Sequence, residues 1–343
     1  MFSGPLPVRT IDYHTGGEPF RIVVSDLPAT PGDTVLERRR LAPTGPLDEV
    51  RLLLCNEPRG HADMYGCFFV PPDDDGARAG VLFWHKDGFS TACGHGTIAL
   101  GAYAVDSGMV VAPDDGEVDV VIDVPSGRVA ARVRRAGGRT VAVAFRNVPS
   151  FVIARGIEVS TSRGPIVVDV SFGGAIYGSA RAADLGLAVE PQHVNDLIAV
   201  GREIKAALLA DPQVFHPTDD RLSDVYGTIW YDELENEVGD DDGTVRQRNC
   251  TVFADGEVDR SPCGSGTSSR LALLHDSGRL ETGSTLVHDS IVGSRFVARV
   301  VDVVEGPGRR AVLTEIEGNA HRTGEHSFTI DPADAIGLGF QLR

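Results

Sequence analysis

Cys93-Gly94-His95-Gly96-Thr97 is the stretch on which the reading of this chain turns, because the pattern occurs twice. Cys263-Gly264-Ser265-Gly266-Thr267 repeats Cys-Gly-x-Gly-Thr in the C-terminal half. A helix-length, mostly apolar run follows each copy: Ile98 to Val105 in one, Ser268 to Leu274 in the other. Both runs stop at Asp-Ser-Gly, as Asp106-Ser107-Gly108 and Asp276-Ser277-Gly278, thirteen residues after the cysteine in each case. A five-residue motif with a helix stop at the same offset reads as an internal duplication. It places one cysteine in each of two similar lobes.

The flanking sequence extends the duplication. Val8-Arg9-Thr10-Ile11-Asp12, His14-Thr15-Gly16-Gly17-Glu18-Pro19 and Phe20-Arg21-Ile22-Val23-Val24 predict two strands about a Gly-Gly turn. Val167 to Tyr177 carries an echo, with Gly173-Gly174 after a β-rich run. After the first helix come strand-like runs at Val118–Val124, Arg128–Val133 and Thr140–Phe145, and after the second at Gly293–Val300 and Ala311–Ile316. Cys67–Val70 and Gly80–His85 read as strands joined by a loop that contains Asp73-Asp74-Asp75. That triplet is expected to be a solvated turn, since three adjacent Asp on a turn do not converge on one ion. Val194–Ala210 predicts an amphipathic helix with Leu197, Ile198, Ile204, Ala207 and Leu208 inward, ended by Asp211-Pro212. Asp232–Gly243 is acidic and expected to be an exposed loop. The fold class is therefore α+β, two similar pseudo-symmetric lobes, each a curved sheet around a helix, with the active site expected in the cleft between them. The expected division is 1–149 for the first lobe, completed by 327–343, and 150–326 for the second, with Val148-Pro149-Ser150-Phe151 at the boundary.

A length of 343 residues suits two cores. A net charge of −17 argues against sequence-independent binding to nucleic acid or to an anionic membrane. Met1 to Thr10 has neither a basic start nor an apolar run, so no signal peptide is expected. No run approaches the ~18 apolar residues of a spanning helix, and the expected location is cytoplasmic. Five cysteines, odd in number and without framework spacing, read as free thiols, with Cys67 and Cys250 in the core.

A cysteine just before a helix sits where free N–H groups and the positive end of the dipole favour its thiolate. The adjacent glycines let a ligand approach the backbone, which suits a bound carboxylate. Two such sites related by a pseudo-two-fold axis would put a sulfur on each side of an α-carbon. That arrangement fits two-base proton chemistry, in which one thiolate removes the α-proton and the opposite thiol returns one to the other face. Structural thiols or a redox pair are the bland alternatives. A metal site at Cys93 and His95 lacks a Cys-x-x-Cys partner, and Gly94-x-Gly96 lacks the third glycine of a dinucleotide fingerprint. No metal and no cofactor are expected. His61 and His85 are read as structural.

With these residues in hand, the sequence resembles the proline racemase family, which shares its fold group with diaminopimelate epimerase. The resemblance runs over nearly the whole chain: His14–Pro19, Pro58–Gly66, Cys93–Thr97, Tyr226-Gly227-Thr228 and Asp259–Thr267. It implies cofactor-independent racemisation or epimerisation of proline or a hydroxyproline, with Cys93 and Cys263 as the acid/base pair. It further implies Gly94, His95, Gly264 and Ser265 on the carboxylate side, Asp259 on the ring nitrogen, and Tyr65 and Phe253 as apolar walls. Racemases and 4-hydroxyproline epimerases of this family keep both cysteines, whereas trans-3-hydroxy-L-proline dehydratases usually replace one. This chain keeps both, yet Asp63–Gly66, Phe253–Gly256 and Val225–Ile229 look closer to the dehydratase branch. The lyase forming a cyclic imine is the alternative, and an imino-acid binding protein without turnover the remote one. The expected partner is a small-molecule substrate, with a homodimer as the candidate assembly.

Overall fold

Two consecutive glycines at positive φ, Gly16 at 58° and Gly17 at 92°, close the hairpin of Val8–Thr15 and Glu18–Val23 in the computed structural model. Side chains with a Cβ rarely adopt that pair of conformations, and it is what a two-residue hairpin turn demands. The model describes residues 6–241 and 243–342. The chain divides into two units, one of residues up to Val143 plus those from Asn319 on, the other Ala144–Gly318.

In the first unit Ala320–Phe328 pairs antiparallel with Val8–Thr15, which pairs antiparallel with Glu18–Val23. Glu18–Val23 then runs parallel to Gly66–Val70, which is antiparallel to Ala79–His85. Ala79–His85 is parallel to Gly116–Val124, itself antiparallel to Gly127–Ala136. The second unit repeats this sequence of senses, beginning with Phe151–Thr161, Gly164–Phe172 and Ile176–Arg181, antiparallel twice. Ile176–Arg181 is parallel to Val225–Glu233, which is antiparallel to Val245–Phe253. Val245–Phe253 is parallel to Thr285–Ser290, which is antiparallel to Arg295–Glu305. The duplication legible at Cys93 and Cys263 thus extends through six successive strand pairings in each half. Arg310–Gly318 adds to the end of the second series.

Each sheet curves around one helix. Gly94–Asp106 is buried from Gly94 through Ala104 and packs on strands from both ends of its series. A helix apolar all round has to be enclosed, and Gly101 shows how closely: a Cβ there would lie 2.7 Å from that of Ala131. Gly264–Asp276 is equally buried through Leu274 but carries Ser268, Ser269 and Arg270. These polar groups are satisfied inside, as buried polar groups must be. Thr314 Oγ1 donates to Ser268 Oγ at 2.9 Å, Ser171 and Ser269 share a 2.6 Å bond, and Arg270 lies 3.9 Å over the Tyr231 ring.

Several expectations shift. The divide falls at 143/144 and 318/319, not at 149/150 and 326/327. Asn147 Nδ2 donates to Gly173 O at 2.7 Å and Ser150 N to Val312 O at 2.9 Å, which ties the linker to the second unit. Ala320–Phe328 pairs with Val8–Thr15 from end to end, with one register shift at Thr323. Two further helices, Val35–Leu41 and Pro46–Cys55, lie beyond those the sequence pattern predicts. They cover the other face of the first sheet through Val50, Leu53, Phe68, Leu82 and Trp84. Their signals are ordinary ones: Thr34 capping Glu37 N, and Pro46 at a helix start. The amphipathic helix spans Val194–Leu209, but Val200 and Gly201 join Leu197, Ile204 and Leu208 on its buried face, while Ile198 is half-buried and Ala207 exposed. The acidic triplet is exposed, as expected, but also held in place. Asp73 Oδ1 accepts from Val35 N at 2.6 Å, and Arg128 bridges Asp74 and Asp123. The strand Val225–Glu233 runs into the acidic segment, whose Glu237 and Asp240 pair with buried Arg246; Asp242 and Met1–Pro5 lie outside the described residues.

Candidate active site

Cys93 is the N-cap of its helix. Its backbone is extended (φ −154°), and its sulfur accepts the N–H of Gly96 at 3.1 Å. The motif's spacing follows from this, since an N-cap acceptor reaches the third residue on. Gly96 is required for two reasons at once: a Cβ there would fall 2.4 Å from Phe20 Cε2 and 2.7 Å from Cys93 Sγ. Thr97 Oγ1 donates back to Cys93 O at 2.8 Å, and Thr15, from the Gly-Gly hairpin, donates to His95 O at 3.0 Å. The His95 ring lies 3.5 Å from the sulfur, edge-on to Tyr65 (centroids 4.9 Å) and to Phe20 (5.8 Å). Tyr65 hydrogen-bonds Ser90 and lies tilted against the His85 ring (centroids 5.7 Å). All of these side chains are buried.

Cys263 holds the same N-cap position, with Gly266 N donating to its sulfur at 3.3 Å. Its backbone differs sharply, at φ 58°, ψ 106°, a region that costs an L-residue about 1–3 kcal/mol. A short chain of bonds holds it there. Cys263 N donates to Ser261 Oγ at 3.0 Å, and Ser261 donates through both Oγ (2.7 Å) and N (2.8 Å) to Asp259 Oδ1. Ser265 Oγ is 3.9 Å from the sulfur and 2.8 Å from the Tyr177 hydroxyl. Tyr226 stands edge-on to Tyr177 (5.8 Å) and is stacked on Phe253 (5.5 Å). Burial, and after it the Asp259 carboxylate, push the Cys263 thiol far above its ordinary range, opposed by the Gly266 N–H and Ser265.

In the first unit, then, the structure gathers Cys93, Gly94, His95 and Tyr65. In the second it gathers Cys263, Gly264, Ser265, Asp259 and Phe253. Phe20, Ser261, Tyr177 and Tyr226 join these sites without a motif of their own in the sequence. Tyr177 follows the Gly-Gly echo by three positions, and that echo was the available signal. Gly173 is there because a Cβ would come within 2.3 Å of Ser265 O, so the turn is shaped by the approach of the Cys263 helix. Each cysteine presents a sulfur beside exposed-dipole N–H groups and an aromatic wall, a setting for moving a proton at carbon next to a bound carboxylate.

The sequence profile of the family described as "Proline racemase" matches residues 10–341. A 3-hydroxyproline 2-epimerase of Burkholderia multivorans is 44% identical over 337 residues, covering 98% of each chain. A trans-3-hydroxy-L-proline dehydratase of Azospirillum brasilense is 43% identical over 337 residues, again 98% of each chain. The crystal structure of a hydroxyproline epimerase from Agrobacterium vitis, with bound trans-4-OH-L-proline, superposes with a TM-score of 0.90. It is 30% identical, and the match covers 100% of this chain and 96% of that one.

Proposed function

This chain belongs to the proline racemase family, and from that premise we propose that it inverts the α-carbon of proline or a hydroxyproline, without a cofactor, by moving protons through Cys93 and Cys263. The observation that carries the reading is the pair of N-cap thiols, each held by the N–H of the glycine three residues on. The mechanism asks for a thiolate on one face of the α-carbon and a thiol on the other. A thiol pushed upward, as at Cys263, stays protonated and serves as the donor in one direction. Cys93 then serves as the base, and the roles exchange in reverse. Gly94, His95, Gly264 and Ser265 are proposed to hold the carboxylate, where N–H donors stabilise the enolate that forms. Asp259 is proposed to hold the ring ammonium, with Tyr65 and Phe253 as the walls that exclude water. A 3-hydroxylated proline is the preferred substrate class, because it is named in relatives of both kinds.

The second reading is the lyase, favoured by the several relatives described as trans-3-hydroxy-L-proline dehydratases at 39–43% identity. Both reactions begin with loss of the α-proton and part at the fate of the 3-hydroxyl. The protein is further proposed to be cytoplasmic and homodimeric, the latter open to light scattering. No helix among the described residues is long and apolar enough to cross a membrane.

The test is a panel of proline and its 3- and 4-hydroxy isomers in D2O. Inversion with uptake of α-deuterium is expected, abolished in Cys93→Ser and Cys263→Ser. A ketimine trapped by borohydride from trans-3-hydroxy-L-proline, without inversion of any isomer, would decide for the lyase. Binding of a substrate with neither exchange nor elimination would leave a binding protein.

A further inference from the structure

We propose that Tyr177 is a positioning residue for Cys263, its hydroxyl turning onto the sulfur when that sulfur becomes a thiolate. The inference rests on the reading of Cys263 as an acid/base residue and adds to it the group that makes its anionic state accessible.

The geometry is a triangle of three heteroatoms. Tyr177 OH and Ser265 Oγ are 2.8 Å apart, a full hydrogen bond, while each lies 3.9 Å from Cys263 Sγ. Two hydroxyls that bond each other use one of their two protons between them. The second proton is within a small rotation of the sulfur. A neutral thiol is a weak acceptor, which fits the long contacts in this state. A thiolate is a strong one, and hydrogen bonds to charged groups are about twice as strong as neutral ones. Tyr177 is fully buried in a cluster with Cys263, Ala175 and Ile229, so no bulk water competes for the sulfur from that side.

The charges and titratable groups facing Cys263 within its unit favour such a donor, beside the Thr251 hydroxyl, which also acts against the upward push on the thiol. Asp259, on the segment before the helix, opposes a thiolate. Tyr177, on Ile176–Arg181, is held protonated by burial and by the sulfur itself, and so remains a donor at working pH. Tyr226, on Val225–Glu233, touches Tyr177 by its ring and reinforces that protonation. On the helix, the Gly266 N–H donates at 3.3 Å, a weak bond by length. In the proposed step the Cys263 S–H bond breaks, its proton goes to the α-carbon, and the electron pair stays on sulfur. Tyr177 and Ser265 keep their protons throughout and only re-aim them.

The experiment is Tyr177→Phe, which removes one oxygen and leaves the ring. Because the overall equilibrium is fixed, kcat/KM is expected to fall by the same factor in both directions, roughly ten- to a hundredfold, with KM little changed. In the direction that uses Cys263 as base, the acidic limb of the pH profile is expected to move up by about one unit. A second readout is independent of turnover. In a Cys93→Ser background, iodoacetamide should alkylate Cys263 about tenfold more slowly at each pH on the rising limb when Tyr177 is Phe. An unchanged or faster alkylation in a folded variant, or a loss of rate with the pH limb unmoved, overturns the proposal and leaves Tyr177 a packing residue. Absence of α-exchange in the wild type would refute the two-thiol reading instead, while the alkylation comparison would still report the coupling. Should the Phe variant fail to fold, 3-fluorotyrosine incorporated at position 177 strengthens the donor at nearly constant volume. It is expected to speed alkylation, and no change overturns the proposal.

Discussion

Ser261→Ala removes a single oxygen that does two things at Cys263. It deletes the 2.7 Å bond from Ser261 Oγ to Asp259 Oδ1 and orphans the buried Cys263 N–H, whose acceptor is the same oxygen at 3.0 Å. A buried hydrogen bond to a carboxylate contributes about 1.5–3 kcal/mol, and an unsatisfied buried donor costs about 1–3 kcal/mol. Both terms share one atom and do not add fully, so the expected loss is about 3 kcal/mol. For a domain the size of the second unit that lowers Tm by roughly 6–12 °C. The assay is thermal and denaturant unfolding beside a matched control. Ser162 also donates through both N and Oγ to a carboxylate, that of Glu203, each at 2.7 Å, but on the surface. Ser162→Ala should therefore stay within about 0.5 kcal/mol of wild type. Because Cys263 is held at φ 58° by the deleted bond, exchange activity should fall along with stability. A Ser261→Ala loss below about 1 kcal/mol, or one equal to that of the control, would refute the idea that this chain of bonds holds the cysteine.

Other perturbations follow from the same packing. Gly173→Ala should destabilise by about 1–3 kcal/mol and reduce exchange, because the new Cβ meets Ser265 O at 2.3 Å; wild-type unfolding and activity would contradict it. His288 is buried against Thr267 Oγ1 at 2.8 Å, and burial, then Arg270, push its pKa down to about 3. Between pH 6.5 and 3 the unfolded chain therefore binds a proton that the folded one does not. Stability should fall with decreasing pH across that window by up to about 1.4 kcal/mol per unit from this group. His288→Gln should flatten that slope in urea titrations, and an unaltered slope would count against it.

The double motif, its offsets and the Gly-Gly echo were enough to read an α+β duplication, because each records a local necessity. A two-residue hairpin needs φ > 0, and an N-cap acceptor must lie three residues before its donor. The helices over Val35–Leu41 and Pro46–Cys55 leave little periodic signal because they are short, and their stability comes from the far face of the sheet. The aromatic partners of the thiols were equally hidden. Tyr177 and Tyr226 look like any strand aromatics, and which side of a strand they serve depends on register.

What the sequence determined alone was where two thiols begin two equivalent helices, and hence the class of chemistry they suit. The sequence already set His95 against Ser265, but only the tertiary structure decided how unlike the two thiols are. Cys93 is extended beside a histidine, whereas Cys263 is left-handed, tied through Ser261 to Asp259 and faced by two hydroxyls. The shared Cys-Gly-x-Gly-Thr pattern specifies the cap, but the environment that sets a thiol's protonation also draws on strands distant in the chain, such as the one carrying Tyr177, which no five-residue pattern records.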